Sequence, residues 1–222
     1  MIIKPSPFEL PFAALLAYSP RGRAPVSVDS RTVVQQLKQN RVVNVAPDGT
    51  MPIARYIAQR IARELPRTPF PSWFADAVLV PVPRSSMLSQ GALWPAWQLA
   101  SEMHALGIGR TVAPCLARFV AVPKSAFAGP GERPTPTTHR NSMRLERPLP
   151  LNARRVVLVD DVVTRGGTLA GAAMRLAASA PTVEIAAFAA VRTLGLQPEI
   201  EKILDPCCGF IRVAMSGLTR EP

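Results

Sequence analysis

Hydrophobic residues follow two rhythms along this chain. In "MPIARYIAQRIARELP" (51–66), Ile53, Ile57, Ile61 and Leu65 recur every four residues, with Tyr56 beside them. Arg55, Gln59, Arg60 and Arg63 fall on the opposite side. That spacing predicts an amphipathic helix with a solvated basic face, broken by the prolines from Pro66 to Pro71. The second rhythm is a short unbroken apolar run. "DAVLVPVP" (76–83) is rich in valine, bounded by prolines and too short for a helix, so it predicts a strand buried on both faces. "RRVVLV" (154–159) and "VEIAAFAAVRT" (183–193) read the same way, and "CLARFVAV" (115–122) reads as a further strand.

Between the strands, "LWPAWQLASEMHALG" (93–107) predicts a helix ending at Gly107, with Trp94 and Trp97 as core residues. "TLAGAAMRLAASA" (168–180) predicts a helix of small residues. "SRTVVQQLKQNR" (30–41) predicts one short helix capped by Ser30, inside a proline-rich and otherwise weakly periodic stretch over 1–50. Strands alternating with helices predict an α/β fold with a parallel sheet flanked by helices. Three parts are expected: an N-terminal hood segment (1–50), a core (51–195) and a C-terminal tail packing on that core (196–222). Within the core, "PKSAFAGPGERPTPTTHRNS" (123–142) reads as a long, flexible basic loop carrying Lys124, Arg133, His139 and Arg140. Loops longer than roughly 12–15 residues in a compact domain commonly act as lids or linkers.

One stretch joins the patterning to chemistry. "RRVVLVDDVVTRGGTLAGAAM" (154–174) runs from a buried strand into Asp160 and Asp161, then through Thr164-Arg165-Gly166-Gly167-Thr168 into a helix. In an open parallel sheet, ligands bind beyond the carboxyl ends of the strands. Gly166 and Gly167 allow close backbone approach. Successive N–H groups, a helix N-terminus and two threonine hydroxyls form an anion cradle. Two carboxylates just upstream suit vicinal hydroxyls or a hydrated divalent cation. A phosphate beside sugar hydroxyls describes a sugar phosphate. The G-x-x-x-x-G-K-[ST] and G-x-G-x-x-G patterns are absent from the sequence.

Composition narrows the partners. The chain has 222 residues, 48% of them hydrophobic, enough to build a core. Lys and Arg number 26 against 15 Asp and Glu, a formal charge of +11 that favours anionic partners. No basic run reaches five residues, so nucleic-acid binding is expected to be weak and salt-sensitive at most. Cys115, Cys207 and Cys208 make no disulfide framework and no four-ligand zinc site, and are expected to be small buried hydrophobes in a reducing compartment. Glu9 and Pro11 interrupt the apolar N-terminal run, so no signal peptide is expected. No apolar run reaches the roughly 18 residues a membrane span needs, and the expected compartment is the cytoplasm. A homo-oligomer is compatible with all of this.

The string around Asp160 resembles the phosphoribosyl-pyrophosphate (PRPP) loop of the type I phosphoribosyltransferases. "LVPVPRSS" (79–86) resembles that family's pyrophosphate loop and the strand before it. "LKQNR" near the start, the basic loop, and "HRNSM" (139–143) match the order of elements in its ComF-like, competence-associated branch. The resemblance spans roughly residues 30–193. It implies a Mg²⁺-dependent transfer of phosphoribose from PRPP to an unidentified acceptor such as a nucleobase, or alternatively PRPP binding without turnover in a DNA-uptake accessory protein. It assigns the 5-phosphate to Thr164, Arg165, Gly166, Gly167 and Thr168. Asp160 and Asp161 then become the catalytic pair, holding the ribose hydroxyls and Mg²⁺, directly or through water. Arg84 and Ser85 line the pyrophosphate, and Lys124 and Arg140 come from the flexible loop. Three departures stand out. Arg165 replaces a threonine of the usual loop, "LSQGALWPAWQLA" (88–100) lacks the arginine of the ComF-like pattern, and no cysteine zinc module is present.

Overall fold

Val156, Val157, Leu158 and Val159 are all fully buried, because helices cover both faces of the strand that carries them. In the computed structural model, which describes residues 8–87, 89, 91–123, 133–195, 199–215 and 217–222, this strand lies within a seven-stranded sheet. The first segments are β1 (Phe8–Tyr18), α1 (Pro25–Gln39), the hairpin β2 (Val42–Val45) and β3 (Gly49–Pro52), and α2 (Ile53–Glu64). Next come β4 (Val78–Pro81), α3 (Pro95–Ala105), β5 (Thr111–Val112), β6 (Leu116–Arg118), α4 (Pro136–Asn141) and β7 (Met143–Leu145). The chain closes with β8 (Arg155–Val163), α5 (Gly167–Ser179), β9 (Glu184–Thr193), β10 (Leu204–Ala214) and β11 (Gly217–Glu221).

The strand order is β11-β10-β1-β9-β8-β4-β5. β1, β9, β8, β4 and β5 run parallel, and β10 and β11 extend the sheet antiparallel. Alternation along β8 divides the core. Val157 and Val159 pack with Ile53, Ile57 and Ile61 of α2, Leu37 of α1 and Leu99 of α3. Val156 and Leu158 face the other way, against Leu169, Ala173 and Leu176 of α5, Leu116 of β6 and Met143 of β7. The protein is thus an α/β fold with a mostly parallel central sheet flanked by helices.

Several expectations are corrected. Residues 8–18 form β1, which pairs with β9 and β10 inside the sheet. Pro11 is accommodated there and Glu9 pairs with Arg212, so the two residues that interrupt the apolar run do not interrupt the strand. α1 starts at Pro25, not at Ser30. Ser30 lies buried within the helix and its hydroxyl donates to the Ser27 carbonyl at 2.7 Å. Of 115–122 only Leu116–Arg118 is strand, and it pairs with β7 in a separate two-stranded sheet. The segment read as a loop over 123–142 contains α4, capped by Thr135. Residues 204–214 and 217–221, expected as a tail packing on the core, are strands of the central sheet itself, β10 pairing with β1 and β11 with β10. Cys115 is buried, but Cys207 is half-buried and Cys208 exposed. Gly107 does terminate α3, at φ 80°, with its N–H donating to the His104 carbonyl. Among the described residues, no helix is long and apolar enough to cross a membrane.

Candidate functional site

β8 sets Asp160 one residue beyond the Pro81–Val159 pairing, where β4 ends; the strand expected to stop at Val159 runs on through both aspartates to Val163, still paired with β9. The chain then turns through three residues, 164–166, into α5. Gly166 makes this turn possible. It adopts φ 88°, and a Cβ there would stand 2.5 Å from Ile211 Cδ1, so both backbone conformation and space exclude a side chain. Among the described residues no side chain caps α5, so the amides of its first turn have no side-chain acceptor there.

A pocket of about 410 Å³ opens over this turn. Asp160 and the whole stretch Val162 to Leu169 line one side, the segment Arg133 to Thr137 another, and Val213, Ala214, Gly217 and Leu218 a third. The volume falls within the range of small-molecule sites. Thr164 and Arg165 are exposed at the mouth, and Gly166 is buried beneath it.

Burial pushes the Asp160 carboxyl well above the ordinary carboxylate range, and the adjacent Asp161 charge pushes it further. The Asp161 N–H donates to Asp160 Oδ1 at 3.0 Å and opposes the shift, as does the positive charge of Lys38 on α1. The pair therefore carries more negative charge than its surroundings readily hold, which suits hydroxyl donors or a cation. Among the described residues no cluster of three or more His, Cys, Asp or Glu side chains is placed to hold a metal ion, so a divalent cation here would take its remaining ligands from water and substrate oxygens.

The residues singled out in the sequence are only partly brought together. Asp160 and the stretch Thr164 to Thr168 share the pocket, while Asp161 is next to it without lining it. Arg84 and Ser85 follow β4, the strand beside β8, at the same edge of the sheet. The Arg84 guanidinium donates to the Leu93 carbonyl, and neither residue lines the pocket. Arg140 sits at the end of α4, where its carbonyl accepts from Arg175 at 2.9 Å, and it does not line the pocket either. Lys124 lies outside the described residues.

Sequence reasoning missed the layer beneath the site. Arg118 is buried on β6 and donates to the Arg84 carbonyl and the Ser142 hydroxyl; its Nη2 lies 3.4 Å from His139 Nδ1. Desolvation lowers its ionisation to about 10, and the charge of Asp160 partly restores it. Burial, and then the positive charge of Arg118, push His139 down to about 4, so its ring is neutral at pH 7. The available signal was an arginine within an apolar strand pattern, a position that demands internal partners. The walls from β10 and β11 gave no signal of their own.

No protein-family model matches the chain, and no curated protein sequence matches it either.

Proposed function

We propose that this protein is a PRPP-dependent phosphoribosyltransferase of the type I fold, acting with Mg²⁺. The observation that carries the reading is that β8 delivers Asp160 to the rim of a pocket whose wall is the uncapped N-terminus of α5. In this reading the 5-phosphate rests on the amides and hydroxyls of Thr164 to Thr168, where the helix dipole favours negative charge. Asp160 and Asp161 accept from the ribose hydroxyls and hold Mg²⁺, directly or through its water. The pyrophosphate lies along the backbone of Arg84 and Ser85, with the Arg84 guanidinium staying on the Leu93 carbonyl. Mg²⁺ supplies charge neutralisation for the departing pyrophosphate. As the anomeric C–O bond breaks, positive charge grows on the ring, and the nearby carboxylates stabilise it. An acceptor nitrogen of a nucleobase or related compound then bonds to that carbon and loses its proton to solvent or a neighbouring base.

A second reading, PRPP binding without turnover in a sensor or a ComF-like DNA-uptake accessory protein, is favoured by one observation: the Arg84 guanidinium is committed to a backbone carbonyl. Pyrophosphate release measured with PRPP, Mg²⁺ and a panel of nucleobases separates the two. Release with at least one acceptor supports the transferase. Calorimetric binding of PRPP with no release across the panel supports the second reading. Absence of both overturns each.

A further inference from the structure

His139 stands out among the buried polar groups. It is 2% exposed, and its Nε2 has no hydrogen-bond partner among the described residues. An unpaired buried donor of this kind costs roughly 1–3 kcal/mol. Two close approaches fix the ring's direction. A Cβ at Gly171 would stand 2.5 Å from His139 Cβ, and a Cβ at Gly167 would stand 3.5 Å from His139 Cδ2. Gly167 lies one turn nearer the N-terminus of α5 than Gly171. The ring therefore runs along α5 toward its first turn, with the Cδ2–Nε2 edge leading. Gly171 is what lets it lie so close to the helix, since a side chain there would clash, whereas one at Gly167 would meet the ring at ordinary contact distance.

The tautomer is set from the other side. Arg118 is held by the Arg84 carbonyl and the Ser142 hydroxyl, and its guanidinium can only donate. His139 Nδ1, 3.4 Å from it, must accept, which leaves the proton on Nε2. Burial and the Arg118 charge keep the ring from taking a second proton.

We propose that His139, which lies behind the pocket wall rather than lining it, is a phosphate-binding residue of this site, donating from Nε2 to the phosphate held at the N-terminus of α5 once a ligand settles there, with Arg118 as the residue that positions it. The inference rests on the sugar-phosphate reading above and adds a donor that is neutral and directional. Such a donor adds selectivity for a phosphate oxygen at one place without another net charge.

The chain has only two histidines, His104 and His139, so the imidazole nitrogens can be followed individually by proton–nitrogen NMR. In the free protein His139 is expected as the Nε2–H tautomer. Adding ribose 5-phosphate should move its Nε2 proton downfield together with the amides of Thr164 to Thr168. His139→Met should weaken ribose 5-phosphate on the order of tenfold, and Arg118→Met should release the tautomer. An Nδ1–H tautomer overturns the proposal. So does an unmoved Nε2 signal while the loop amides saturate; that result leaves the phosphate site itself standing. The wild-type spectra decide the matter if either variant fails to fold. If neither ribose 5-phosphate nor inorganic phosphate shifts the loop amides, both this inference and the sugar-phosphate reading fall.

Discussion

Two neighbouring parallel strands leave the same edge of the sheet in very different ways. β8 reaches α5 through three residues, 164–166, while β4 reaches α3 through thirteen, 82–94. The first junction is held tight by Gly166 against Ile211, and its helix start is left uncapped. The second makes its own internal bonds: Arg84 donates to the Leu93 carbonyl, and Trp94 Nε1 donates to the Val82 carbonyl at 2.8 Å. A short junction leaves backbone donors for a ligand, whereas a long one spends its polar groups on holding its own shape. The end of the site proposed to hold the phosphate is thus preorganised, and the opposite end depends on a loop already engaged with itself.

Substituting one glycine in each junction gives the largest contrast. Gly166→Ala forces a side chain into left-handed backbone and against Ile211. It is expected to cost roughly 2–4 kcal/mol in urea denaturation and to abolish PRPP binding. Gly91 also has positive φ, at 75°, but a Cβ there meets nothing within 4 Å. Gly91→Ala should cost only about 1 kcal/mol and leave ligand affinity in place. Equal losses at the two positions would remove the distinction.

Next is the dependence on pH. The folded state raises the Asp160 carboxyl, so this group favours folding below about pH 4 and opposes it as pH rises through the raised value. Free Asp160→Asn should therefore melt above wild type at pH 7, with the gap closing below about pH 4, while losing most PRPP affinity. His139 has the opposite sign. Its ionisation drops from 6.5 to about 4, so its contribution is present above pH 6.5 and lost as pH falls through 4. Wild type should lose on the order of 2–3 kcal/mol across that window, and His139→Gln less, as read from denaturation midpoints.

Smaller effects test each end of the site. Arg165 lines the pocket with its side chain exposed at the mouth. Arg165→Thr should weaken PRPP on the order of tenfold by calorimetry, the value of one charge-assisted hydrogen bond. Arg84→Ala removes a bond to backbone and should cost about 1 kcal/mol of stability. It should change ribose 5-phosphate and PRPP affinity alike by less than about threefold, since truncating a group outside the pocket leaves distant contacts intact. A selective loss of PRPP would show that this guanidinium leaves Leu93 for the pyrophosphate.

The comparison also explains what the sequence made legible. β8 and the start of α5 were readable because the stretch from Val156 to Thr168, Arg165 apart, follows local rules: unbroken apolar burial, paired acids, glycine turn, small-residue helix; the extension of the strand through the acids to Val163 was not, because it comes from pairing with β9. β4, α2, α3 and β9 were readable by the same periodicities. β1 was not, because Glu9 and Pro11 break its apolar run while Arg212 across the sheet satisfies the acid. β10 carries Pro206 and Gly209, and most of its residues are only half-buried, so its strand character comes from pairing with β1 rather than from alternation. The pocket wall at Val213 to Leu218, and the Arg118–His139 layer, arise from contacts between segments far apart in the chain. Local patterning carries no record of such contacts.

The central claim is that the β8–α5 junction binds a phosphorylated ribose whose hydroxyls and cation meet Asp160. Calorimetric titration of PRPP with Mg²⁺ into wild type and into Asp160→Asn tests it most directly. The account predicts saturable one-site binding to wild type, stronger with Mg²⁺ than without, and a loss of at least tenfold in the variant, consistent with removing a charged contact. Absence of binding to wild type at millimolar PRPP, or equal affinity in the two proteins, would contradict it.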